Sequence, residues 1–205
     1  MNYIEFRKKL GDFTVFSVAD IRQADADFHR RRLNEWQDKG YILKVIRGYY
    51  VFTEKPLSEK SLFEIANRIY SPSYVSFETA LSYHGLIPES VYGITSASTR
   101  KTSRFDTEIG AFIYRTIRPK LYFGFEYVGN GSRYLKMASP EKAILDLLYI
   151  KTGIKDAEAF ESLRLNRERF LETADRKKMN GYLSAYADGS MRRRVKELWG
   201  YIKHA

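Results

Sequence analysis

The stretch from Ser17 to Phe52, SVADIRQADADFHRRRLNEWQDKGYILKVIRGYYVF, decides the fold expected for the first quarter of this chain. Ser17 is a favourable N-cap for the helical segment VADIRQA, and Asp20 stands at the position that completes a capping box. A basic helix is expected next, ended by Gly40. The strand-like runs YILKVI and YYVF then flank Arg47-Gly48, which predicts a tight hairpin.

The basic helix separates its side chains into an apolar face and a charged face. With a helical period of about 100° per residue, Leu33 and Trp36 share one face, and His29 is expected beside them as a half-buried packing residue. The arginines lie near the N-terminal half, which is the end that contacts bases in a helix-turn-helix. The order of helix, basic helix and Gly-tipped hairpin is typical of a winged helix-turn-helix. The residues expected to contact double-stranded DNA are Ser17, Phe28, Arg30, Arg31 and Asn34 on the helices, with Lys44, Arg47 and Tyr49 on the hairpin.

Each of these features also has an ordinary structural interpretation. A run of three arginines is often no more than a solvated helix face. Phe28 can pack against the body of the protein, or it can touch a thymine methyl group. The ordered set of elements favours the DNA interpretation, whereas a lone basic helix would not.

The charge of the chain is consistent with a polyanionic partner. The net charge of +10 and the isoelectric point of 9.6 favour nucleic acid or an anionic surface. Basic residues exceed acidic ones by 11 to 8 in residues 1–56, by 11 to 9 in 57–150 and by 13 to 8 in 151–205. The C-terminal end is therefore the most basic. A candidate second basic surface there comprises Arg192, Arg193, Arg194 and Lys196. It would suit phosphates, an RNA or an acidic partner, and the alternative is a solvated helix face.

Composition and hydropathy exclude several classes of protein. The absence of cysteine excludes disulfides and Cys-rich metal sites and fits a reducing cytoplasm. The N-terminal sequence MNYIEFRKK has charges where a signal peptide needs an apolar core. The longest apolar run, from Ala143 to Ile150, is interrupted by Asp146, so no membrane span is expected. We therefore expect a cytoplasmic protein with no membrane partner.

Hydrophobic periodicity predicts an α+β fold in two domains. Pro56 and the polar segment after it mark a linker. The expected organisation is a winged helix-turn-helix in residues 1–56 and a mixed domain in 57–205, with a small, mostly antiparallel sheet in 91–138 and a helical end in 140–203. Asn130-Gly131 is the clearest hairpin turn in the sheet region.

The sequence contains no recognisable catalytic motif. Its three histidines, His29, His84 and His204, lack a nucleophile elbow or metal-ligand spacing nearby, and no phosphate-binding loop is present. We therefore predict no catalytic residue, no metal and no cofactor. One enzymatic alternative is a Mg²⁺-dependent nuclease that would use the carboxylates of Asp106 and Glu108 together with that of Glu126 or Glu141.

The N-terminal helix-turn-helix and three later segments carry a resemblance to a known family. The winged head, followed by YVSFETALSYHGLIPE, ITSASTRKTSRFDTEIGAFIYRTIRP and ASPEKAILDLLY, resembles the AbiEi-type antitoxins of type IV toxin–antitoxin systems. The resemblance runs from about Phe13 to Ile150 and fits the last fifty residues only loosely. It implies a cytoplasmic prokaryotic protein, often active in phage defence. It supports the basic helix and the hairpin as DNA contacts and supplies no catalytic residue.

The resemblance also implies partners. The head would repress its own operon by binding repeated sites in promoter DNA. The C-terminal domain would counteract a nucleotidyltransferase-like toxin encoded beside it, without a stable complex. An alternative is a winged-helix regulator of other genes whose body senses a ligand or a partner.

Overall fold

The computed structural model describes residues 1–88, 92–129, 134–186 and 189–204. Across these ranges the chain forms a mixed α+β fold with ten α-helices, a small three-stranded sheet and a six-stranded sheet. The α+β class expected from the sequence is confirmed. None of the helices in the described ranges combines the length and the apolarity that crossing a membrane requires.

The N-terminal part alternates short helices and strands. Its elements are α1 (Tyr3–Leu10), β1 (Phe16–Ser17), α2 (Val18–Ala24), α3 (Arg31–Asp38), β2 (Ile42–Ile46) and β3 (Tyr49–Phe52). The three strands form an antiparallel sheet in the order β1-β3-β2. Gly48 adopts a φ of +88° in the turn between β2 and β3, a conformation that glycine tolerates best. The hairpin expected at Arg47-Gly48 is therefore present.

The central part builds the larger sheet. Its elements are α4 (Glu59–Ile69), β4 (Ser73–Val75), α5 (Phe77–Tyr83), β5 (Ile94–Ser98), β6 (Ser103–Thr107), β7 (Gly110–Thr116), a 3-10 helix (Pro119–Leu121), β8 (Phe125–Val128) and β9 (Leu135–Ala138). The strand order is β6-β7-β5-β4-β9-β8.

This sheet is mixed and larger than the sequence predicted. The β4–β9 and β5–β7 pairs are parallel, whereas the other three pairs are antiparallel. In the sheet, β7 lies between β5 and β6. Since β6 runs opposite to β5 and β7 runs opposite to β6, β7 is parallel to β5. The expected window of 91–138 also omitted β4, whose three buried residues are too few to show a period. The predicted turn at Asn130-Gly131 lies outside the described residues.

The C-terminal part is helical, as expected. It contains α6 (Pro140–Ile150), α7 (Ala157–Glu161), α8 (Arg167–Thr173), α9 (Arg176–Leu183) and α10 (Gly189–His204). Ser139 caps α6, and Pro140 occupies its first turn, where the missing N–H costs nothing. Every residue from Glu141 to Leu148 is buried, so α6 is a central helix.

Two hydrophobic clusters form the core. The N-terminal cluster contains Phe6, Leu10, Phe16, Ile21, Phe28, Leu33, Trp36, Ile42, Tyr50 and Phe52. The larger cluster combines Val15, Val45 and Val51 of the N-terminal part with buried apolar residues of the central and C-terminal parts. Polar contacts also join α4 to the N-terminal part. The Arg68 guanidinium donates to the Asp20 carboxylate at 2.6 Å, and the Thr14 hydroxyl donates to Glu64 at 2.6 Å. These contacts hold α2 in a defined position relative to α4.

Candidate nucleic-acid interface

The start of α3 carries two exposed arginines. Arg30 occupies the N-cap position without a capping hydrogen bond, and Arg31 begins the helix. Neither guanidinium forms a hydrogen bond or an ion pair with any residue that the structure describes. No acidic residue lies in the first turn of α3. A cation at a helix N-terminus opposes the helix dipole, at a cost of about 0.3–1 kcal/mol. Helix stability therefore does not explain these two arginines.

The rest of α3 divides into packing and polar positions. Leu33 and Trp36 are buried in the N-terminal cluster, as expected, and Asn34 is exposed. Arg32, the third arginine of the run, donates from Nη1 to the Met1 carbonyl at 2.7 Å. Glu35 forms an ion pair with Lys39 at 2.8 Å. The positive charge of the exposed face is consequently concentrated at the start of the helix.

The hairpin adds two further exposed cations. Lys44 lies on β2 opposite Tyr50, and Arg47 lies in the turn. Neither forms an ion pair or a hydrogen bond within the described ranges. Tyr49 is half-buried, and its ring packs against the larger core cluster. Of the three predicted hairpin contacts, the two cations are therefore exposed and Tyr49 is half-buried.

Ser17 has a structural role. Its hydroxyl accepts from the Asp20 amide at 3.2 Å, and its backbone amide donates to the Asp20 carboxylate at 2.6 Å, which completes the predicted capping box. The hydroxyl also donates to the same carboxylate at 2.7 Å. Its side chain is half-buried. Ser17 therefore sets where α2 begins, and its hydroxyl is already engaged within the protein.

Two residues before the start of α3 differ in burial from what the sequence favoured. Phe28, expected among the DNA contacts, is 8% exposed and packs with Phe6 and Trp36 at ring distances of 6.1 and 5.6 Å. His29, expected in the core, is exposed. The helix begins at Arg31, so His29 precedes it and does not share the face of Leu33. The projection on a helix placed His29 on the wrong side because it extended the helix to positions before Arg31.

The C-terminal basic surface also differs from the prediction. Arg192, Arg193 and Lys196 are exposed on α10, but Arg194 is 6% exposed. Its guanidinium donates to the carbonyl oxygens of Ile154, Leu148 and Lys151 at 2.7, 2.8 and 2.6 Å. Arg194 therefore closes the C-terminal end of α6 and does not belong to a surface. Three of the four predicted residues remain available to a partner.

Three carboxylates of the nuclease alternative are engaged elsewhere, and the fourth, Glu108, is exposed. Asp106 forms an ion pair with Arg104 at 2.7 Å, and Glu108 lies in the turn after β6. Glu126 contacts Lys178 at 3.2 Å. Within the described residues, no group of three metal-ligating side chains is close enough to hold an ion.

Glu141, another of these carboxylates, is buried against α9. It accepts from the Ser139 hydroxyl at 2.7 Å and from the Asp175 amide at 2.9 Å. Burial raises its pKa, but these hydrogen bonds and the nearby Lys178 outweigh that effect, so the pKa lies below its ordinary value. Glu141 therefore stabilises the packing of α6 and α9 as a carboxylate.

A buried polar cluster on α6 was not found from the sequence. The Asp146 carboxylate forms an ion pair with Lys142 and accepts from the hydroxyls of Tyr74 and Ser76, both at 2.8 Å. The Lys-Asp spacing of four residues in an otherwise apolar helix was a signal that could have been noticed. His84 is likewise structural, because its Nε2 donates to the Ala138 carbonyl at 2.8 Å.

Comparison of the chain with protein-family models and with curated proteins finds no match.

Proposed function

We propose that this chain is a winged helix-turn-helix transcriptional repressor that binds double-stranded promoter DNA and also acts as an antitoxin. The observation that carries the DNA-binding half is the exposed pair Arg30 and Arg31 at the start of α3. The order α1, β1, α2, α3, β2, β3 and the hairpin with its glycine turn support the same assignment. In this proposal α3 enters the major groove and the hairpin lies beside it.

The proposed contacts divide into two kinds. Arg30, Arg31 and Asn34 would face base edges, since arginine pairs with guanine and asparagine with adenine through two hydrogen bonds. Lys44 and Arg47 would contact phosphates, which position the protein without reading sequence. Tyr49 and Ser17 would support these contacts through the hairpin and the start of α2.

The antitoxin half of the proposal rests on the resemblance to AbiEi-type proteins. In this proposal residues 1–56 repress the operon of the chain through repeated promoter sites, in the cytoplasm. Residues 57–205 counteract a nucleotidyltransferase-like toxin without a stable complex. No catalytic residue, metal or cofactor is assigned to that activity.

The DNA-binding half is tested with the arginines of α3. Binding of the full chain to a fluorescent duplex from its own promoter would be measured by anisotropy for wild type, Arg30→Ala, Arg31→Ala and the double variant. If the arginine reads a base, its replacement by alanine should weaken binding by about 1–3 kcal/mol and relax specificity at one position. Lys177→Ala, which removes an exposed cation of α9 outside every proposed contact, is the matched control. A double variant that binds as tightly as wild type would refute the assignment of α3.

The hairpin is tested by salt dependence. If Lys44 and Arg47 contact phosphates, alanine at each position should weaken binding to all sequences alike. The slope of log affinity against log salt should then fall by about one for each lysine or arginine removed. An unchanged slope in both variants would contradict a phosphate role for the hairpin.

The antitoxin half is tested by growth. Co-expression of the chain with the product of the adjacent gene should relieve growth arrest, and the two proteins should not co-purify. A second candidate function, a regulator of other genes with a ligand-sensing body, is favoured by a cavity of about 440 Å³ beside α10. Specific DNA binding without any relief of arrest would favour that candidate.

A further inference from the structure

A cavity of about 440 Å³ lies far along the chain from the basic helix. It is bounded by Arg118 and Lys120, in the segment after β7, and by Tyr149 and Thr152 at the end of α6. Tyr186 and Arg194 also line it. We call it the Tyr149 cavity. Its volume is within the range of about 300–1,000 Å³ that is typical of small-molecule sites.

The mouth of the Tyr149 cavity is positively charged. Arg118 and Lys120 are exposed, and neither forms a hydrogen bond through its side chain or an ion pair with a described residue. The described residues that line the cavity include no carboxylate. Two such cations at a concave surface attract an anion. Their segment is held in place by the 3-10 helix, in which the Leu121 amide donates to the Arg118 carbonyl at 2.8 Å.

The inner wall is aromatic and well fixed. The rings of Tyr149 and Tyr186 lie 6.0 Å apart at an interplanar angle of 65°. The Tyr186 hydroxyl accepts from the buried Lys142 ammonium at 3.3 Å. The three carbonyl contacts of Arg194 hold another part of the wall. The cavity therefore has its shape before any ligand enters.

The remaining polar groups suit a ligand with hydroxyls. The hydroxyl of Tyr149 has no hydrogen-bond partner among the described residues, and the same is true of Thr152. Pockets of this kind combine aromatic walls with a few polar groups that orient the ligand. An aromatic ring could stack on Tyr149 while hydroxyls pair with these side chains.

We infer that the Tyr149 cavity binds a nucleoside monophosphate, with the phosphate between Arg118 and Lys120 and the base against Tyr149 and Tyr186. A phosphate accounts for the two cations at the mouth, and a base accounts for the aromatic wall. None of the proposed DNA contacts takes part, so this inference does not rest on the proposed function.

The inference is tested by titration calorimetry on the full chain. AMP and UMP serve as purine and pyrimidine probes, and adenosine and inorganic phosphate each supply half of the ligand. One nucleotide should bind per chain, and each half should bind at least about tenfold more weakly. Arg118→Gln and Lys120→Gln should each weaken nucleotide binding by about tenfold or more, because each removes a charge-assisted contact.

Lys177→Gln is the matched control, since it removes an exposed cation of α9 that does not line the cavity. Its affinity should equal that of wild type. Thermal unfolding of each variant separates loss of binding from loss of folding, and Lys120→Gln alone decides the comparison if Arg118→Gln folds poorly. The inference is overturned if neither nucleotide saturates, if inorganic phosphate or adenosine binds as tightly, or if Lys177→Gln weakens binding equally.

Discussion

The Lys142 ammonium and the Asp146 carboxylate form an ion pair one turn apart on α6, and both side chains are wholly inaccessible to solvent. The lysine also lies 5.1 Å from the Phe123 ring centroid and 5.7 Å from that of Tyr74. Burial lowers the pKa of Lys142 and raises that of Asp146, and the attraction between the two charges opposes both shifts. Each charge is therefore tolerated in the core only because the other is present.

We predict that Lys142→Met destabilises the protein strongly. It leaves the Asp146 carboxylate buried without a counter-charge, and breaking a buried pair in this way typically costs about 3–5 kcal/mol. Urea denaturation would measure the free energy of unfolding. The double variant Lys142→Met with Asp146→Asn should be more stable than the single variant. The asparagine removes the charge and keeps an acceptor for Tyr74 and Ser76. A double variant at least as unstable as the single would contradict this account.

Arg194 and its neighbour Arg193 form a matched pair for a second prediction. Arg194→Ala removes the guanidinium donor from three carbonyl oxygens, of which only that of Lys151 also accepts from the backbone amide of a described residue, so we expect a loss of about 2 kcal/mol or more. Arg194→Lys should recover only part of it, because an ammonium lacks the planar fork of the guanidinium. Arg193→Ala should lie within about 0.5 kcal/mol of wild type, as an exposed substitution does. Chemical denaturation of the three variants checks this, and equal effects at both positions would disprove the role of Arg194.

Phe28 distinguishes a core role from a DNA contact. Phe28→Ala should lower the free energy of unfolding by about 3 kcal/mol or more, since it opens a cavity beside Phe6 and Trp36. Arg31→Ala should leave stability within about 0.5 kcal/mol of wild type, because the side chain is exposed. Thermal unfolding followed by circular dichroism measures both. A Phe28→Ala variant of unchanged stability would restore Phe28 to the list of candidate DNA contacts.

Glu141 predicts a pH dependence of stability. Its folded pKa lies below its ordinary value of 4.5, so the folded state binds fewer protons than the unfolded state between these two values. The stabilisation is therefore complete above pH 4.5 and is lost as the pH falls through the folded pKa. Glu141→Gln should be about 1–3 kcal/mol less stable than wild type at pH 7.

The difference between Glu141→Gln and wild type should then shrink as the medium is acidified. Urea denaturation at pH 7, 5, 4 and 3 follows it directly. Glu108→Gln, in the exposed turn after β6, is the control and should stay close to wild type at pH 7. A gap that remains constant from pH 7 to pH 3 would show that the Glu141 charge does not contribute.

Local signals in the sequence were sufficient for the features that depend on a few neighbouring residues. The capping box of Ser17 and Asp20 and the hairpin at Arg47-Gly48 each form within about four positions along the chain. The apolar face of α3 also followed from spacing, since Leu33 and Trp36 are buried. These elements, with the exposure of Arg30 and Arg31, make up most of the candidate interface.

Tertiary structure alone decided the features that depend on distant residues. Arg194 lies nearer than Arg193 to the face of α10 that carries Met191 and Leu198, and carbonyl groups 40 to 46 residues away meet its guanidinium. The parallel pairing of β5 with β7 depends on where β6 lies, and the burial of Lys142 depends on strands that flank α6. Periodicity reports which side chains share a face of one element. Packing between elements decides which partner covers that face. The sequence of one element therefore does not identify the partner.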